Sequence, residues 1–359
     1  MRLLHSENVV DIALGAAVLG TGGGGDPYIG KLMGIQAIEQ FGPVTLLSLD
    51  EIEDDALIVP TAMMGAPTVM VEKLPKGDEI IKAFHALESY LGRKITATMS
   101  AEAGGLNSVT HLTVAARLRI PMVACDGMWR AFPELQMVTA TLYGVSSTPF
   151  AIGDEKGNSA ILNTINNRWT ETFSRSITID MGCAAMIACY ATTGKELKEW
   201  AVPDTMTLVE SIGRTIREAR ESKANVVETV RKAVGGFEVF KGKIVDVQRR
   251  TEKGFAKGEA ILDGVNQYDS QTLKLQFQNE NLMAEVDGEI VVSVPDLITL
   301  LDTEIGEPIT TENLRYGFRV TVLGIPCNEK WRTPEGLELV GPRYFGYDID
   351  WVPVEERYG

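Results

Sequence analysis

The stretch that says most about the fold of this 359-residue chain is Gly20-Thr-Gly-Gly-Gly-Gly-Asp26, followed by Pro27. The stretch has five glycines in six positions, and glycine loses more conformational entropy on folding than any other residue. A run this dense needs a physical reason, such as backbone at positive φ or backbone in close contact with another group. We therefore predict that it forms one wall of a ligand pocket. The predicted binding residues are Gly22, Gly23, Gly24, Gly25 and Asp26.

Helices are predicted on both sides of the glycine run, over residues 7–19 and 28–39, because apolar side chains recur there at helical spacing. Farther along the chain, predicted strands alternate with predicted helices. The strands are at 44–49, 56–60, 94–99 and 121–125, and the helices are at 78–91 and 109–118. This alternation is typical of an α/β layer fold, so we predict an α/β N-terminal domain with a mixed or parallel sheet.

The sequence pattern changes in the second half of the chain. Residues 175–180 are predicted as a strand, 181–191 as a closely packed helix, and about 204–234 as long connecting helices. After Gly236 the apolar runs are short and alternating, which is typical of strands. Asp287-Gly288 has the residues of a hairpin turn between two of them.

Two domains are expected for a chain of this length, because a single core rarely grows so large. We predict an α/β N-terminal domain at residues 1–170. A mainly β C-terminal domain, which includes the long connecting helices, is predicted at residues 171–359. A boundary near residue 236 fits the pattern equally well, because the connecting helices can belong to either domain.

Composition excludes several classes of protein. The net charge of -15 argues against nucleic acid or an anionic membrane as a partner. No apolar run approaches the roughly 20 residues that span a bilayer, and the acids Glu7 and Asp11 are unlike a signal peptide. The four cysteines show neither a CxxC pair nor disulfide-like spacing. We predict a cytoplasmic protein with free thiols that forms a homo-oligomer, as chains of this kind commonly do.

Nucleotide-binding motifs can be fitted to the glycine run, but their context is wrong. Residues 20–25 match G-x-G-x-x-G, and Asp50 follows a predicted strand as a ribose-binding acid would. Gly25, Gly30 and Lys31 also match part of a P-loop. Both motifs need a strand before the glycines, but a helix is predicted there. No nucleotide cofactor is therefore expected. The run is better explained as backbone N–H groups arranged around an anionic or carbonyl oxygen, or as a tight turn between two helices.

Glu102, Gly104, Gly105 and Asn107 form a second group of candidate site residues. They follow a predicted strand directly, at the carboxyl edge where α/β sheets bind their ligands. An acid, two glycines and an amide at this edge are suited to hold a polar heterocycle. Glu102 is a candidate catalytic group, and the other three are candidate binding residues. A glycine turn with a solvated glutamate is the structural alternative.

Asp126, Trp129, Arg130 and Glu134 form a third group, which follows the next predicted strand. Asp126 is a candidate general base, and Arg130 is a candidate clamp for a substrate carboxylate. Glu134 is a further catalytic candidate, and Trp129 is a candidate substrate contact that excludes water. An internal ion pair that fixes the loop is the structural alternative.

Metal ligands are not indicated by spacing, because the three histidines form no HxH or HExxH pattern. His111 follows Glu102 at the start of a predicted helix, and Cys125 lies at the end of a predicted strand. Both could approach the same edge of the sheet, so we keep them as candidate metal ligands and leave a divalent metal open. Cys125 is also considered as a nucleophile, although the spacing identifies no base for it.

Several of these stretches together resemble the S-methyl thiohydantoin desulfurase-like family, whose members are associated with hydantoinase/oxoprolinase proteins. The resemblance extends from residue 7 to about residue 354. It rests on the glycine run with Tyr28, on residues 102–107 and 126–137, and on Arg249-Arg-Thr251, Phe277-Gln-Asn-Glu280 and Thr310-Thr-Glu-Asn-Leu-Arg-Tyr-Gly317. It implies an α/β N-terminal domain and a mainly β C-terminal domain. A small residue is expected in the family's motif where Trp129 stands.

The activity that the resemblance implies is hydrolysis of an S-methyl thiohydantoin, a methylthio-imidazolone ring, to the hydantoin and methanethiol. Asp126 or Glu102 would activate water, backbone N–H groups of the glycine run would stabilise the developing charge, and Arg130 would hold a substrate carboxylate. A bound metal could replace the general base. Two alternatives stay open: a non-catalytic hydantoin-binding subunit that serves a hydantoinase/oxoprolinase partner, and a nucleotide-dependent enzyme.

Overall fold

Two β-sheets organise residues 1–66, 69, 73 and 76–359, which are the residues that the computed structural model describes. The strands are β1 Arg2–Leu4, β2 Val44–Leu47, β3 Leu57–Gly65, β4 Ala97–Ser100, β5 Met122–Val123, β6 Phe150–Gly153, β7 Ser159–Leu162, β8 Ala184–Ala188, β9 Thr192–Thr193, β10 Phe237–Glu252, β11 Phe255–Gly264, β12 Thr272–Gln278, β13 Glu280–Val286, β14 Glu289–Ser293, β15 Leu297–Asp302 and β16 Arg319–Ile325. The helices are α1 Ser6–Leu19, α2 Pro27–Phe41, α3 Asp78–Leu91, α4 Asn107–Leu118, α5 Thr139–Leu142, α6 Asn167–Asp180, α7 Gly194–Trp200, α8 Thr205–Glu221, α9 Val226–Ala233, α10 Pro334–Val340 and α11 Val354–Tyr358.

The first sheet has nine strands in the order β1-β2-β5-β4-β3-β8-β6-β7, with β9 paired to β3. Strands β2, β5, β4 and β3 run parallel, whereas β1 pairs antiparallel at one side and β8, β6 and β7 pair antiparallel at the other. Strands β3 and β4 are buried along their whole length, as expected for strands that are covered on both faces. The predicted α/β N-terminal domain is confirmed, and its sheet is mixed.

The second sheet has seven antiparallel strands in the order β14-β13-β12-β11-β10-β16-β15. Buried residues alternate with more accessible ones along β12, so one face of the sheet packs on a core that includes Phe240, Leu275 and Val320. The predicted turn at Asp287-Gly288 joins β13 to β14, and both residues have positive φ, 51° and 89°. The mainly β character of the C-terminal part is therefore confirmed.

Two predictions in the middle of the chain are wrong. Residues 175–180, predicted as a strand, belong to α6, because the buried residues Thr170, Ser174 and Thr178 recur at helical spacing. Residues 181–191, predicted as a helix from their small side chains, contain β8 instead. That strand is buried throughout between β3 and β6, so its place in the sheet overrides the helix propensity of alanine.

The predicted connecting helices at about 204–234 are α8 and α9, which follow the last strand of the first sheet and precede the first strand of the second. The chain therefore passes from the first sheet to the second between Thr193 and Phe237. The domain boundary that we predict at residue 170 is not tested by this arrangement and stays a prediction.

Within the described ranges, no helix has both the length and the apolar character needed to cross a membrane.

Helix α8 packs against α1 so closely that each helix needs a glycine at the crossing. A Cβ at Gly15 would lie 1.8 Å from the Val209 carbonyl oxygen, and a Cβ at Gly213 would lie 1.8 Å from the Asp11 carbonyl oxygen. The Asp11 carboxylate also accepts two hydrogen bonds of 3.0 Å from Arg217, through Nε and Nη2. This crossing holds α1 in place, and the glycine run begins at the C-terminal end of α1.

Gly213→Ala should lower the free energy of unfolding by at least about 2 kcal/mol, because the added Cβ meets backbone atoms of α1 that cannot rotate away. Urea unfolding followed by circular dichroism measures this change. Ser211→Ala, on the exposed side of α8, is the matched control and should change the free energy of unfolding by less than about 0.5 kcal/mol. Equal stabilities for Gly213→Ala and the unsubstituted chain would contradict the close crossing.

Candidate functional site

The glycine run joins α1 to α2, and one side of it binds the mainly β part of the chain. The carbonyl oxygen of Thr21 accepts a hydrogen bond of 2.8 Å from Asn281 N, and that of Gly22 accepts one of 2.8 Å from Thr311 N. The hydroxyl of Thr21 donates to the Ile298 carbonyl oxygen (3.0 Å) and accepts from Ile298 N (2.9 Å). The run is therefore fixed against the second sheet by backbone hydrogen bonds.

The other side of the run contacts the loop after β4. The carbonyl oxygens of Gly24 and Gly25 accept hydrogen bonds from Asn107 N (3.0 Å) and Leu106 N (3.3 Å). A Cβ at Gly24 would lie only 2.3 Å from Gly104 Cα, and the φ of Gly24 is 78°, so glycine alone fits there. Close contact between two backbones therefore accounts for the glycines at this point.

A pocket of about 70 Å³ lies beside this contact, and we call it the inner pocket. It is bounded by the end of β3, the loops after β4 and β5, α6, the end of β8 and the turn between β12 and β13. Apolar side chains line most of it, with a few polar groups among them, so the composition of its lining, though not its volume, is that of a small-molecule site. The lining includes Gly24, Gly25, Met63, Met64, Glu102, Asn107, Phe132, Glu134, Leu135, Arg175, Cys189, Tyr190, Asn279 and Glu280.

Glu102 lies in the wall of the inner pocket with its carboxyl group buried. Its Oε1 accepts a hydrogen bond of 2.6 Å from Asn107 Nδ2, and its Oε2 accepts one of 3.4 Å from Phe132 N. Asn107 is itself fixed by the end of β3, because its Oδ1 accepts a hydrogen bond of 2.7 Å from Met63 N. Burial raises the pKa of Glu102 to about 7, and the two hydrogen bonds oppose this rise. At neutral pH this carboxyl can therefore both take up and release a proton.

Glu280, from the turn between β12 and β13, is the second buried carboxyl group in the pocket wall. Burial raises the pKa of Glu280 well above its usual value, the nearby Glu102 raises it further, and Arg130 opposes both. Among the described residues, Glu280 Oε2 has no hydrogen-bond partner. A Cβ at Gly23 would lie 1.9 Å from Glu280 Oε1, so glycine at position 23 leaves the space that the carboxyl occupies.

Arg130 lies behind the pocket wall and is completely buried. Its Nε donates to the Ala131 carbonyl oxygen (2.9 Å), and its Nη1 donates to the carbonyl oxygens of Pro295 (2.6 Å) and Asp296 (3.0 Å). Burial lowers the pKa of Arg130 to about 10, so the group is still charged at neutral pH. The side chain fixes the loop after β5 to the turn before β15 and places positive charge near the two glutamates. It does not line the pocket, where a clamp for a substrate carboxylate would have to be.

Asp126 and Trp129 also lie outside the pocket lining. The Asp126 carboxylate accepts hydrogen bonds from Trp129 N (2.8 and 3.0 Å) and from the Thr205 hydroxyl (2.9 Å), and burial raises the pKa of Asp126 to about 7. Trp129 has φ of 63°, in the left-handed region that favours glycine, and its side chain packs against the core. Asp126 thus joins the loop after β5 to the start of α8, and Trp129 does not narrow the pocket.

The carboxylates of Asp26 and Glu134 both accept hydrogen bonds from nearby residues of the chain. Asp26 caps α2, where its carboxylate accepts a hydrogen bond of 2.7 Å from Tyr28 N. Glu134 lies in the pocket lining, and its Oε2 accepts hydrogen bonds from Gln136 Nε2 (2.6 Å) and Tyr344 Oη (2.5 Å). Asp26 therefore stabilises the helix after the glycine run, whereas Glu134 is held at the edge of the pocket.

The two candidate metal ligands are buried in the first domain. Burial lowers the pKa of His111 to about 4, which keeps its imidazole neutral, and neither ring nitrogen has a hydrogen-bond partner in the described part of the chain. Burial raises the pKa of Cys125, whose Sγ lies 3.9 Å from Met99 Sδ, and this disfavours the nucleophilic thiolate. Among the residues that the structure describes, no group of three or more His, Cys, Asp or Glu side chains is placed to hold a metal.

The inner pocket brings together part of the predicted site. The predicted residues that line it are Gly24, Gly25, Glu102, Asn107 and Glu134. The predicted residues that do not line it are Gly22, Gly23, Asp26, Gly104, Gly105, Asp126, Trp129, Arg130, His111 and Cys125. Most of this second group lies outside the lining and holds the surrounding loops in place through the backbone contacts and hydrogen bonds described above.

Sequence reasoning missed Arg175, Asn279 and Glu280, which also line the pocket. Asn279 and Glu280 belong to a stretch that carries the family resemblance, but nothing in the sequence indicates that this turn of the second sheet reaches the first. Arg175 was placed in a strand. A helical interpretation would have put it on a buried face beside Glu171, whose Oε1 accepts a hydrogen bond of 2.7 Å from Arg175 Nε.

Comparison with known protein families gives two matches that together cover most of the chain. The model of the S-Me-THD-like N-terminal domain matches residues 7–164, and the model of the S-Me-THD-like C-terminal domain matches residues 165–354. A crystal structure of a protein from Chromobacterium violaceum is similar to this chain, with a TM-score of 0.80 and 21% sequence identity over 99% of this chain and 100% of that one. At this identity the similarity shows a shared fold. No curated protein matches the chain.

Stability should decrease between about pH 5 and pH 8, because burial raises the pKa of Asp126 and that of Glu102 to about 7. A carboxyl whose pKa is raised in the folded state makes its full contribution to the free energy of unfolding below its pKa in the unfolded state. That contribution is lost as the pH rises through its pKa in the folded state. Asp126→Asn should reduce the difference in free energy of unfolding between the two pH values by about 1–3 kcal/mol. Urea unfolding at both pH values measures it. The exposed Asp50→Asn is the matched control, and an Asp126→Asn chain that keeps the full difference would contradict the assignment.

Proposed function

This chain belongs to the S-Me-THD-like family, and we propose that it is a hydrolase of a small cyclic amide or imidazolone ring. The observation that carries the proposal is the presence of two buried carboxyl groups, Glu102 and Glu280, in the wall of one largely apolar pocket. Titratable groups with strongly raised pKa values in a pocket are typical of catalytic sites. The substrate class that the family resemblance implies is an S-methyl thiohydantoin.

The two glutamates can divide acid and base roles between them. Two carboxyl groups that share a poorly solvated site ionise one after the other, because the first charge opposes the second. Burial raises the pKa of Glu102 to about 7 and the pKa of Glu280 well above its usual value, with a further rise from Glu102. The charge on Glu102 is among the causes that raise the pKa of Glu280, so we assign the first ionisation to Glu102 and the retained proton to Glu280. On this basis Glu102 is the general base and Glu280 the general acid.

The proposed reaction consumes one water molecule. Glu102 removes a proton from the water as its oxygen bonds to the ring carbon that carries the S-methyl group, and an electron pair moves onto the adjacent ring nitrogen. The electron pair on the nitrogen then re-forms the C=N bond as the C–S bond breaks. Glu280 protonates the departing methanethiolate. The hydroxyl group left on the ring carbon tautomerises to the hydantoin carbonyl. A proton then passes from Glu102 to Glu280 through water, which restores both groups.

Two residues would position the pair of glutamates. Asn107 holds the Glu102 carboxyl by a hydrogen bond of 2.6 Å, and Asn107 is itself fixed to β3. Gly23 leaves the space in which the Glu280 carboxyl lies. The apolar part of the lining, including Phe132 and Leu135, would exclude bulk water from the ring.

A second candidate function, a non-catalytic hydantoin-binding subunit for a hydantoinase/oxoprolinase partner, is favoured by one surface feature. On α6, the rings of Trp169 and Phe173 contact each other at a tilt, with centroids 5.2 Å apart, yet the two residues are 45% and 47% exposed. Exposed apolar groups side by side are typical of a surface that contacts another chain. Binding of hydantoins without turnover, together with stimulation of a hydantoinase, would favour this function over hydrolysis.

Glu102→Gln and Glu280→Gln should each lower kcat for methanethiol release from an S-methyl thiohydantoin by at least about 100-fold, because each removes one proton-transfer group. Colorimetric detection of the released thiol gives the rate. Glu312→Gln is the matched control, because burial also raises the pKa of Glu312 to about 7 but the residue lies outside the pocket lining. The control should keep the unsubstituted kcat. Full activity in Glu102→Gln would exclude Glu102 as the base.

The pH dependence of kcat/KM should be bell-shaped, with its acid limb near pH 7. Activity should fall below that pH because Glu102 becomes protonated, and at higher pH because Glu280 loses its proton; burial raises the pKa of each group. Initial rates of thiol release across the pH range measure this profile. The residual activity of Glu280→Gln should keep the acid limb and lose the alkaline one. A profile that is flat from about pH 5 to pH 9 would argue against carboxyl catalysis.

A further inference from the structure

Asn279 lies in the turn between β12 and β13, at the point where the second sheet reaches the inner pocket. Its backbone N donates a hydrogen bond of 2.7 Å to the Ala256 carbonyl oxygen, and its own carbonyl oxygen accepts one of 2.6 Å from the Thr311 hydroxyl. Its φ is 58°, in the left-handed region that asparagine tolerates better than most residues. The backbone at this position is therefore fixed on two sides.

The side-chain amide of Asn279 has one fixed orientation. Its Oδ1 accepts a hydrogen bond of 2.8 Å from Ala256 N, and because a backbone N–H can only donate, the atom that faces it must be the oxygen. Its Nδ2 donates to none of the residues that the structure describes, yet this atom is not sealed from solvent. The residue is only 5% exposed and lines the inner pocket, so the open side of Nδ2 faces the pocket.

The other side-chain N–H groups of the lining already have partners in the protein. Asn107 Nδ2 donates to Glu102 Oε1 (2.6 Å) and to a carbonyl oxygen of β3 (3.3 Å). Arg175 donates through Nε to Glu171 (2.7 Å), and through Nη2 and Nη1 to backbone carbonyl oxygens (3.0 and 3.4 Å). Within the described ranges, Asn279 Nδ2 is therefore the side-chain nitrogen of the lining that is left without a protein acceptor.

The charges around the pocket favour an uncharged acceptor at Asn279. Arg175 is the one cation among the described lining residues, and its charge is balanced by the ion pair with Glu171. Three glutamates also belong to the lining, and they are Glu102, Glu134 and Glu280. A ligand carboxylate would be repelled by those that are ionised, whereas a carbonyl oxygen can accept the Nδ2 hydrogen bond without adding charge.

We propose that Asn279 Nδ2 binds the carbonyl oxygen that the substrate ring keeps throughout hydrolysis, and that the inner pocket therefore selects uncharged rings with such a carbonyl. Asn279 directly precedes Glu280, so a ring held by this amide lies beside the group to which we assign the acid role. A ring without the carbonyl leaves the Nδ2 donor unpaired in a poorly solvated site, which lowers its affinity. The identity of the ring rests on the proposed function, whereas the contact itself is tested by binding and needs no turnover.

Isothermal titration of the full chain at about pH 8 tests the contact with two uncharged rings. Hydantoin, the product ring, carries the carbonyl, and 2-(methylthio)imidazole carries none. Asn279→Asp keeps the oxygen that faces Ala256 N and the tolerance of positive φ, but it removes the N–H donor. It should weaken hydantoin binding by at least about tenfold and change the affinity for 2-(methylthio)imidazole by less than about twofold. Equal losses for both rings would mean that Asn279 only shapes the pocket, and would overturn the proposal.

Asn266→Asp is the matched control, because Asn266 is exposed and has nearly the same φ, 57°, but lies outside the pocket lining. This variant should bind hydantoin as the unsubstituted chain does. Asn279→Ala is the second test variant, since it removes the donor without adding a charge, and it should show the same selective loss of hydantoin binding. Melting temperatures show whether each variant is folded.

Thiol release separates the carbonyl contact from the proposed hydrolase activity. Hydantoin binding that does not depend on Asn279, in a chain that releases methanethiol, would overturn the contact and leave the hydrolase function standing. Selective loss of hydantoin binding in Asn279→Asp, when the unsubstituted chain releases no thiol from S-methyl thiohydantoin, would support the contact and count against the hydrolase function. Absence of any heat from hydantoin up to about 10 mM in the unsubstituted chain would also overturn the proposal.

Discussion

The backbone contact between Gly24 and Gly104 is the constraint on which the rest of the structure depends. A Cβ at Gly24 would lie 2.3 Å from Gly104 Cα, closer than side-chain atoms approach in folded proteins, so any other residue would push these segments apart. On its other side the same glycine run binds Asn281 and Thr311 of the mainly β part through backbone hydrogen bonds. The inner pocket lies where these segments meet. The contact that joins the two sheets therefore also gives the pocket its shape.

Burial of charge is a second constraint, and it acts against stability. Burial raises the pKa of Glu102 and the pKa of Glu280 and lowers that of Arg130, because ionised groups are poorly solvated there. Hydrogen bonds from Asn107 to Glu102, and from Arg130 to carbonyl oxygens, offset part of this cost. Such an arrangement is expected where chemistry requires proton-transfer groups with raised pKa values, which is why we assign the function to this pair.

Prediction from sequence succeeded where neighbouring residues carry the information. The helices beside the glycine run and the alternation of strands follow from local periodicity, which reports the buried face of each element. Glu102 and Gly24 were expected at one edge, and both line the pocket. The same reasoning placed Asp126 there, but its carboxylate turns back to Trp129 N and is used within its own loop. Side-chain direction after a strand depends on packing, which a local pattern does not report.

By itself the sequence determined the two kinds of sheet, the turn between α1 and α2, and the acid that follows β4, because each depends on a few neighbouring residues. Only the tertiary structure decided that residues 175–180 are helical, that Arg130 lies behind the pocket wall, and that Glu280 comes to lie in the same wall as Glu102. The physical reason is that a pKa and a pocket depend on everything that surrounds a group. Glu102 comes from the α/β part and Glu280 from the mainly β part, so the two carboxyl groups come together only when both parts of the chain are folded.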